Sequence, residues 1–161
     1  MFVDFKDLPD NSRIWIYQSD RSFSDLEVTL ISERLYSFKN SWTAHGNLLR
    51  ASYLIKYNQF IIIAVDEDQN DASGCSIDAS VHTIQELEKE MGADLMNKMN
   101  ISFKDGENIN TVSMQQFKEF AKQDKIKVNT LVFNNMVSSK ADFESHWEVE
   151  AGQSWHAQFL K

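Results

Sequence analysis

The pattern of hydrophobic and polar residues predicts three strands in the first part of the chain. Residues 12–19 alternate in character with a period of two, as strand residues do. Residues 48–57 and 59–66 predict two further strands that are joined by a tight turn. The run Phe60–Val65 is apolar throughout, which is typical of a strand that is covered on both faces. We therefore expect 59–66 to be the central strand of a sheet.

Two helices are predicted where apolar residues recur at helical spacing, at about residues 25–44 and 76–91. Ser24 and Glu27 have the spacing of a capping box at the start of the first helix. Gly46 is expected to end that helix. The predicted buried stripe of the first helix comprises Leu26, Leu30, Ile31, Leu35, Phe38 and Trp42.

The order of these elements predicts the fold class. Strand, helix, strand, strand and helix are followed by a predicted strand at Asn100–Lys104, which matches a ferredoxin-like (split βαβ) core. Ser113 and Gln116 predict a capped helix after it, and a last strand is expected at about 130–136. We expect a single α+β domain over residues 1–161, with a mostly antiparallel sheet, helices on one face and a C-terminal helical extension.

Residues 138–161 are rich in aromatic side chains, and we interpret them as a docking tail. An aromatic side chain buries roughly 150–250 Å², so exposure of several such rings would be costly. We expect the rings to pack across the sheet or against another subunit, with the imidazoles of His146 and His156 at the rim. The aromatic residues concerned are Phe143, Trp147, Trp155 and Phe159.

Composition and charge narrow the classes of function. The chain has 16 basic and 24 acidic residues and a net charge of −8, which disfavours nucleic acid as a partner. The longest apolar run is far shorter than the ~20 residues of a membrane helix, and the first residues do not resemble a signal peptide. One cysteine cannot form an internal disulfide. We therefore expect a cytoplasmic protein that binds neither nucleic acid nor membrane.

The only cysteine, Cys75, falls at the predicted start of the second helix. Backbone amides and the helix dipole favour a thiolate at such a position. The candidate catalytic residues are therefore Cys75 as nucleophile, His45 or His82 as base, and Ser76 and Asp78 as polar support. The competing and favoured interpretation is a small buried cysteine that fills space between helix and sheet. Acidic residues before the helix also oppose formation of a thiolate.

The acidic segment that follows the central strand is a weak metal motif. Asp66, Asp68 and Asn70 match the first three ligand positions of a calcium loop. Asp71 replaces the glycine that the loop requires, and Ile77 replaces its bidentate glutamate. The four histidines lack metal-ligand spacing, and a single cysteine cannot build a structural zinc site. We therefore expect a solvated acidic turn, no metal and no cofactor.

Several short segments together carry a resemblance to a known family. They are Trp42-Thr43-Ala44-His45-Gly46, Phe60-Ile61-Ile62-Ile63-Ala64-Val65-Asp66, Ser73-Gly74-Cys75-Ser76-Ile77-Asp78-Ala79-Ser80, Val132-Phe133-Asn134-Asn135 and Ser154-Trp155-His156. With them, nearly the whole chain resembles a family of small bacterial proteins often labelled "ABC transporter ATPase". Such an ATPase needs a phosphate loop, Gly-x-x-x-x-Gly-Lys-Ser/Thr, which this chain lacks. The resemblance therefore implies no ATPase activity and no catalytic residue.

Two functional hypotheses follow from the sequence. The first and favoured one is a non-catalytic binding or protein-interaction module for a protein or small-molecule partner, with self-association into a homo-oligomer as one mode. The second is a small thiol-dependent enzyme or thiol sensor that uses Cys75.

Overall fold

The computed structural model describes residues 3–68 and 70–160, and the chain divides into two compact units. Unit 1 comprises Met1–Met96 together with Ser138–Ala141. Unit 2 comprises Asn97–Val137 together with Asp142–Lys161. Each unit contains an antiparallel sheet and a hydrophobic core cluster of its own. The fold is α+β with antiparallel sheets, as the sequence predicted.

The sheet of unit 1 has three strands, β1 (Arg13–Gln18), β4 (Arg50–Lys56) and β5 (Phe60–Asp66). Their order is β1-β5-β4, so β5 is the central strand, as predicted. The apolar residues of β5 are all buried, because both of its faces are covered. Two shorter strands, β2 (Thr43–Ala44) and β3 (Asn47–Leu48), form a separate hairpin.

The turn between β4 and β5 sets the register of the two strands. Tyr57 and Asn58 both have positive φ angles, 55° and 50°, as in the tight turns that join hairpin strands. The resulting register places Arg50 opposite Asp66 at the far end of the hairpin. The first and last residues of the paired strands are therefore brought together.

Unit 1 has two long helices, α1 (Asp25–Ser41) and α2 (Gly74–Met91). The predicted capping box is confirmed, since Ser24 accepts a hydrogen bond from the Glu27 amide and the Glu27 carboxylate accepts one from the Ser24 amide. The predicted end of α1 at Gly46 is wrong. The helix ends at Ser41, because the next residues form β2 and Gly46 lies in the β2–β3 turn with φ of 82°.

The two helices bury their apolar residues in one cluster. Ile31 and Leu35 of α1 and Ile84 of α2 belong to the same core cluster as Ile61 and Ile63 of β5, so the helices cover one face of the sheet. Trp42 is buried at the end of α1, as predicted. Leu26 is 84% exposed, and its inclusion in the buried stripe is therefore wrong. Leu26 lies five residues before Ile31, about 140° around the helix from it, and so on the side away from the buried residues Ile31 and Leu35.

The ferredoxin-like topology of the fold stays a prediction. The strand order β1-β5-β4 matches the first three strands of such a core. The strand predicted to be the fourth, Asn100–Lys104, is observed at Asn100–Asp105 and belongs to the sheet of unit 2.

Unit 2 contains a four-stranded antiparallel sheet of order β7-β6-β8-β9. Its helices are α3 (Met114–Lys122), which starts at the Ser113 cap, and α4 (Lys140–His146), whose first residues belong to unit 1. Across the described ranges, no helix combines the length and apolar character that crossing a bilayer requires. The four strands are β6 (Asn100–Asp105), β7 (Asn108–Ser113), β8 (Leu131–Phe133) and β9 (Glu148–Glu150).

The aromatic residues of the tail pack within unit 2. Trp147 is 4% exposed, and its ring centroid lies 4.9 Å from those of Phe133 and Phe143. Two 3₁₀ segments, Ala151–Gln153 and Trp155–Phe159, follow β9. His146 is exposed as expected, whereas His156 is fully buried. The predicted place of the second imidazole at the rim is therefore wrong.

Candidate functional site

An open cleft of about 670 Å³ lies in unit 1 at the end of the central strand. It is bordered by the segment before β1, by the β2–β3 hairpin, by the start of β4 and by the acidic segment that follows β5. Its walls carry charged and amide side chains together with two apolar ones. The lining residues are Asp7, Pro9, Asn47, Leu48, Arg50, Asp66, Asp68 and Asn70.

The β4–β5 register positions the charged pair of the cleft. Arg50 begins β4 opposite Asp66, the last residue of β5, and its Nε lies 3.8 Å from Asp66 Oδ2. The other carboxylate oxygen of Asp66 accepts a hydrogen bond of 3.0 Å from the amide of Asp68. Asp66 therefore fixes the first turn of the acidic segment and also holds a guanidinium at the cleft.

Hydrogen bonds from side-chain amides hold the walls of the cleft together. The Asn70 side-chain amide donates to the carbonyl oxygens of Ala44 and Asn47, at 3.3 and 3.1 Å, and so ties the acidic segment to the β2–β3 hairpin. The Asn11 side-chain amide donates to Asp68 Oδ1 at 3.1 Å. Because the walls are bonded to one another, the cleft is formed before any ligand binds.

The acidic segment uses Glu67 to support its own backbone. Glu67 Oε2 accepts a hydrogen bond of 2.7 Å from the amide of Ala72, and Glu67 Oε1 lies 3.9 Å from Arg13. Among the described residues, no group of three or more histidine, cysteine, aspartate or glutamate side chains is placed to hold a metal ion.

Cys75 is exposed, so the expectation of a buried, space-filling cysteine is wrong. It is the second residue of α2, and the buried face of the helix begins one residue later, at Ser76. Ser76 takes part in the N-terminal cap of the helix. Its hydroxyl donates to the Ser73 carbonyl at 2.8 Å, and its amide donates to the Ser73 hydroxyl at 3.1 Å. The Ser76 carbonyl in turn accepts a hydrogen bond of 2.7 Å from the Trp42 indole.

The remaining candidate catalytic residues lie in the β2–β3 turn and on α2. His45 is exposed in the turn between β2 and β3, with φ of 54°, and Asp78 is exposed on α2. His82 pairs with Glu86 one turn further along the helix, at 2.9 Å. Within the part of the chain that the structure describes, no hydrogen bond joins Cys75 to His45. A catalytic role for these residues stays a prediction.

His156, in unit 2, is buried against aromatic side chains, which the sequence did not reveal. Its Nδ1 shares a 2.7 Å hydrogen bond with the Ser154 hydroxyl, and its ring stacks on Trp155 with centroids 3.9 Å apart. Its Nε2 is buried and has no hydrogen-bond partner among the described residues. Burial lowers the pKa of His156 to about 4, since a charged imidazolium would be poorly solvated there.

Sequence reasoning identified the acidic side of the cleft and missed its opposite wall. Asp66, Asp68 and Asn70 were considered as metal ligands, whereas Arg50 and Asn47 were not considered together with them. A signal for Arg50 was present, because counting equal numbers of residues outward from the three-residue turn at 57–59 pairs it with Asp66. The sequence contains no comparable signal for the position of the β2–β3 hairpin, because its strands have only two residues each.

Comparison of the chain with protein-family models, with curated proteins and with solved structures finds no match. The resemblance to the family labelled "ABC transporter ATPase" therefore stays a prediction.

Proposed function

We propose that this protein is a non-catalytic binding module and that the cleft in unit 1 is its ligand site. The observation that carries the proposal is the cleft itself, about 670 Å³ in volume, with walls held together by side-chain hydrogen bonds. A pre-formed cleft lined by several hydrogen-bonding groups binds a ligand without the cost of ordering its own walls. The partner is a protein or a small molecule.

The charges in the cleft favour a cationic ligand. The cleft is lined by three carboxylates, those of Asp7, Asp66 and Asp68, and by one guanidinium, that of Arg50, so negative charge is in excess. Leu48 at the same cleft is 49% exposed and offers an apolar contact. A segment that presents arginine or lysine next to an aliphatic side chain matches both features. Nucleic acid is disfavoured by the net charge of −8, and a cytoplasmic location is part of the proposal.

The test uses a blocked peptide, acetyl-Leu-Arg-Leu-Arg-amide, titrated into the ¹⁵N-labelled protein. We expect amide shifts concentrated at residues 47–50 and 66–70 and none with the corresponding Leu-Glu-Leu-Glu peptide. The Asp68→Asn variant is expected to weaken binding about three- to fivefold, the effect of one exposed charge pair. The matched control is Asp78→Asn, which makes the same change at an exposed position on α2, outside the cleft. Equal shifts with both peptides, or equal loss in both variants, would rule out this site.

A second candidate function is supported by the exposure of Cys75. An exposed thiol near the start of an 18-residue helix is accessible to electrophiles and oxidants, as a thiol sensor or thiol-dependent enzyme requires. The rate of alkylation of the native protein by iodoacetamide against pH tests this alternative. A midpoint well below the ordinary thiol value of ~8.5 would support it, and a midpoint at or above that value would exclude it.

A further inference from the structure

Strand β7 forms one edge of the sheet in unit 2, and it differs from every other edge strand of three or more residues in the described chain. Its sequence, Asn-Ile-Asn-Thr-Val-Ser, carries no charge. All six residues pair with β6 in an unbroken register, so β7 contains no bulge. No strand among the described residues is hydrogen-bonded to its outer side.

Edge strands of natural proteins are usually protected against pairing with other chains by charge, proline, a bulge or short length. The other edges here follow that rule. Strand β1 carries Arg13, which is also bridged to Ser139, and β4 carries Arg50 and Lys56. Strand β9 has three residues, of which two are glutamates. Only β7 lacks such protection among these strands, although it is six residues long.

We propose that β7 pairs with the β7 strand of a second copy of this chain, antiparallel, about a two-fold axis at Asn110. The two four-stranded sheets then form one continuous eight-stranded sheet. The occupant is a second copy because this antiparallel pairing brings Glu107 of each copy to the start of α3 of the other, where negative charge is favoured. With Asn110 opposite Asn110, Ile109 lies opposite Thr111 and Asn108 lies opposite Val112, and each pair occurs twice. Such an interface is closed, so it forms a dimer and not a fibre.

Charge restricts where two copies can meet. Two copies with a net charge of −8 each repel one another, and the uncharged β7 edge is where their backbones can approach most closely. The same register places Glu107 of one copy opposite Ser113 of the other. Ser113 is the N-cap of α3, and the start of a helix favours negative charge. The acidic β6–β7 turn of each copy therefore lies beside a favourable helix end.

The expected dimer is weak and reversible. Pairing of two six-residue edges buries less than the ~1,200 Å² typical of stable complexes, so the monomer should predominate at low concentration. The proposal does not involve the cleft residues, and failure of peptide binding at the cleft would leave it intact.

Sedimentation equilibrium of the full chain, from about 10 µM to about 1 mM, tests the proposal. We expect the mean mass of the unaltered protein to rise toward that of a dimer and that of Asn110→Lys to remain monomeric. The control, Asn129→Lys, makes the same change at an exposed loop position of unit 2 and should associate like the unaltered protein. Circular dichroism establishes that each variant is folded.

A charge-swap experiment tests the position of the axis. Asn110→Lys and Asn110→Asp should each be monomeric alone, because like charges meet at the axis. A one-to-one mixture should associate at least as strongly as the unaltered protein, since each dimer then pairs lysine with aspartate. A monomeric unaltered protein, self-association of Asn110→Lys, or a mixture that stays monomeric would each overturn the proposal.

Discussion

His156 is a polar residue at a fully buried position. One ring nitrogen is hydrogen-bonded, and the other has no partner among the described residues. Phe117 and Trp155 pack on its ring, with centroids at 5.6 and 3.9 Å. An apolar environment of this kind tolerates a neutral imidazole and disfavours a charged one. The pKa of His156 therefore falls to about 4, well below its ordinary value of 6.5.

This lowered pKa predicts a pH dependence of stability. The unfolded chain binds a proton at His156 below about pH 6.5, whereas the folded chain does so only near pH 4. Stability from the neutral imidazole is therefore complete above pH 6.5 and is lost as the pH falls toward 4. Between pH 8 and pH 5.5 we expect a loss of about 1.4 kcal/mol that the His156→Phe variant does not show, measured by urea unfolding. An imidazole NMR titration of His156 with a midpoint near 6.5 would contradict it.

Lys140 is a second buried polar residue, and it is satisfied by backbone groups. It is 4% exposed, and its Nζ donates to the carbonyl oxygens of Lys6 and Leu8 at 3.0 and 2.7 Å. The same ammonium lies 5.5 Å from the ring centroid of Phe5. Residue 140 thus holds the 3₁₀ turn at Phe5–Asp7 within unit 1.

Removal of the Lys140 ammonium should loosen that turn. Lys140→Met keeps most of the aliphatic stem and leaves two carbonyl oxygens without their donor, so we expect a loss of about 2 kcal/mol in unfolding free energy. Hydrogen exchange at residues 5–8 should accelerate in the same variant. The control, Lys6→Met, removes a charge from an exposed side chain of the same turn. Equal stability of the two variants would show that the ammonium contributes nothing there.

At the scale of elements, local sequence signals predicted the start of α1 and the end of α2, whereas the end of α1 was missed. The capping box that starts α1 was recognised from Ser24 and Glu27, because all of its groups lie within four residues. The end of α1 depends on the pairing of β2 with β3. Strands of two residues are too short to give a recognisable pattern in the sequence. Strand β7 was missed for a related reason. Asn108 and Asn110 are poor strand formers, and pairing with β6 overrides their preference.

The capping box gives a prediction about α1 as an element. Ser24→Ala removes the acceptor for the Glu27 amide and should cost about 1 kcal/mol of unfolding free energy, as N-cap losses do. Ser22→Ala is the matched control, since it makes the same change two residues earlier, outside the helix. Thermal unfolding followed by circular dichroism measures both. If the two variants have the same unfolding temperature, the cap does not contribute to the stability of α1.

The candidate site shows what sequence reasoning about side-chain chemistry leaves out. The acids after β5 were identified as a group, yet their partners come from distant segments, as Arg50 and Asn11 do. The thiol of Cys75 was expected to be buried because free cysteines commonly are, and its exposure depends on which face α2 turns toward the sheet. Contacts between distant residues follow from tertiary structure, which periodicity in one chain does not encode.

At the scale of the whole molecule, the net charge of −8 causes electrostatic repulsion between two copies of the protein. Each copy repels the other over a distance set by the Debye length, which falls from about 30 Å at 10 mM salt to about 8 Å at 150 mM. The proposed contact between Glu107 and the start of α3 acts over a much shorter distance. Salt therefore screens the repulsion between copies more than it screens this attraction.

Self-association through β7 should accordingly strengthen as salt is added. Between about 10 and about 150 mM sodium chloride we expect the dimer to become about tenfold more stable, because the long-range repulsion is removed. Sedimentation equilibrium at the two salt concentrations measures the change, and Asn110→Lys should remain monomeric at both. The equimolar mixture of Asn110→Lys and Asn110→Asp should gain less from salt, since its central ion pair is screened as well. Association of the unaltered protein that weakens with salt would mean that ion pairs, and not the uncharged β7 edge, hold the copies together.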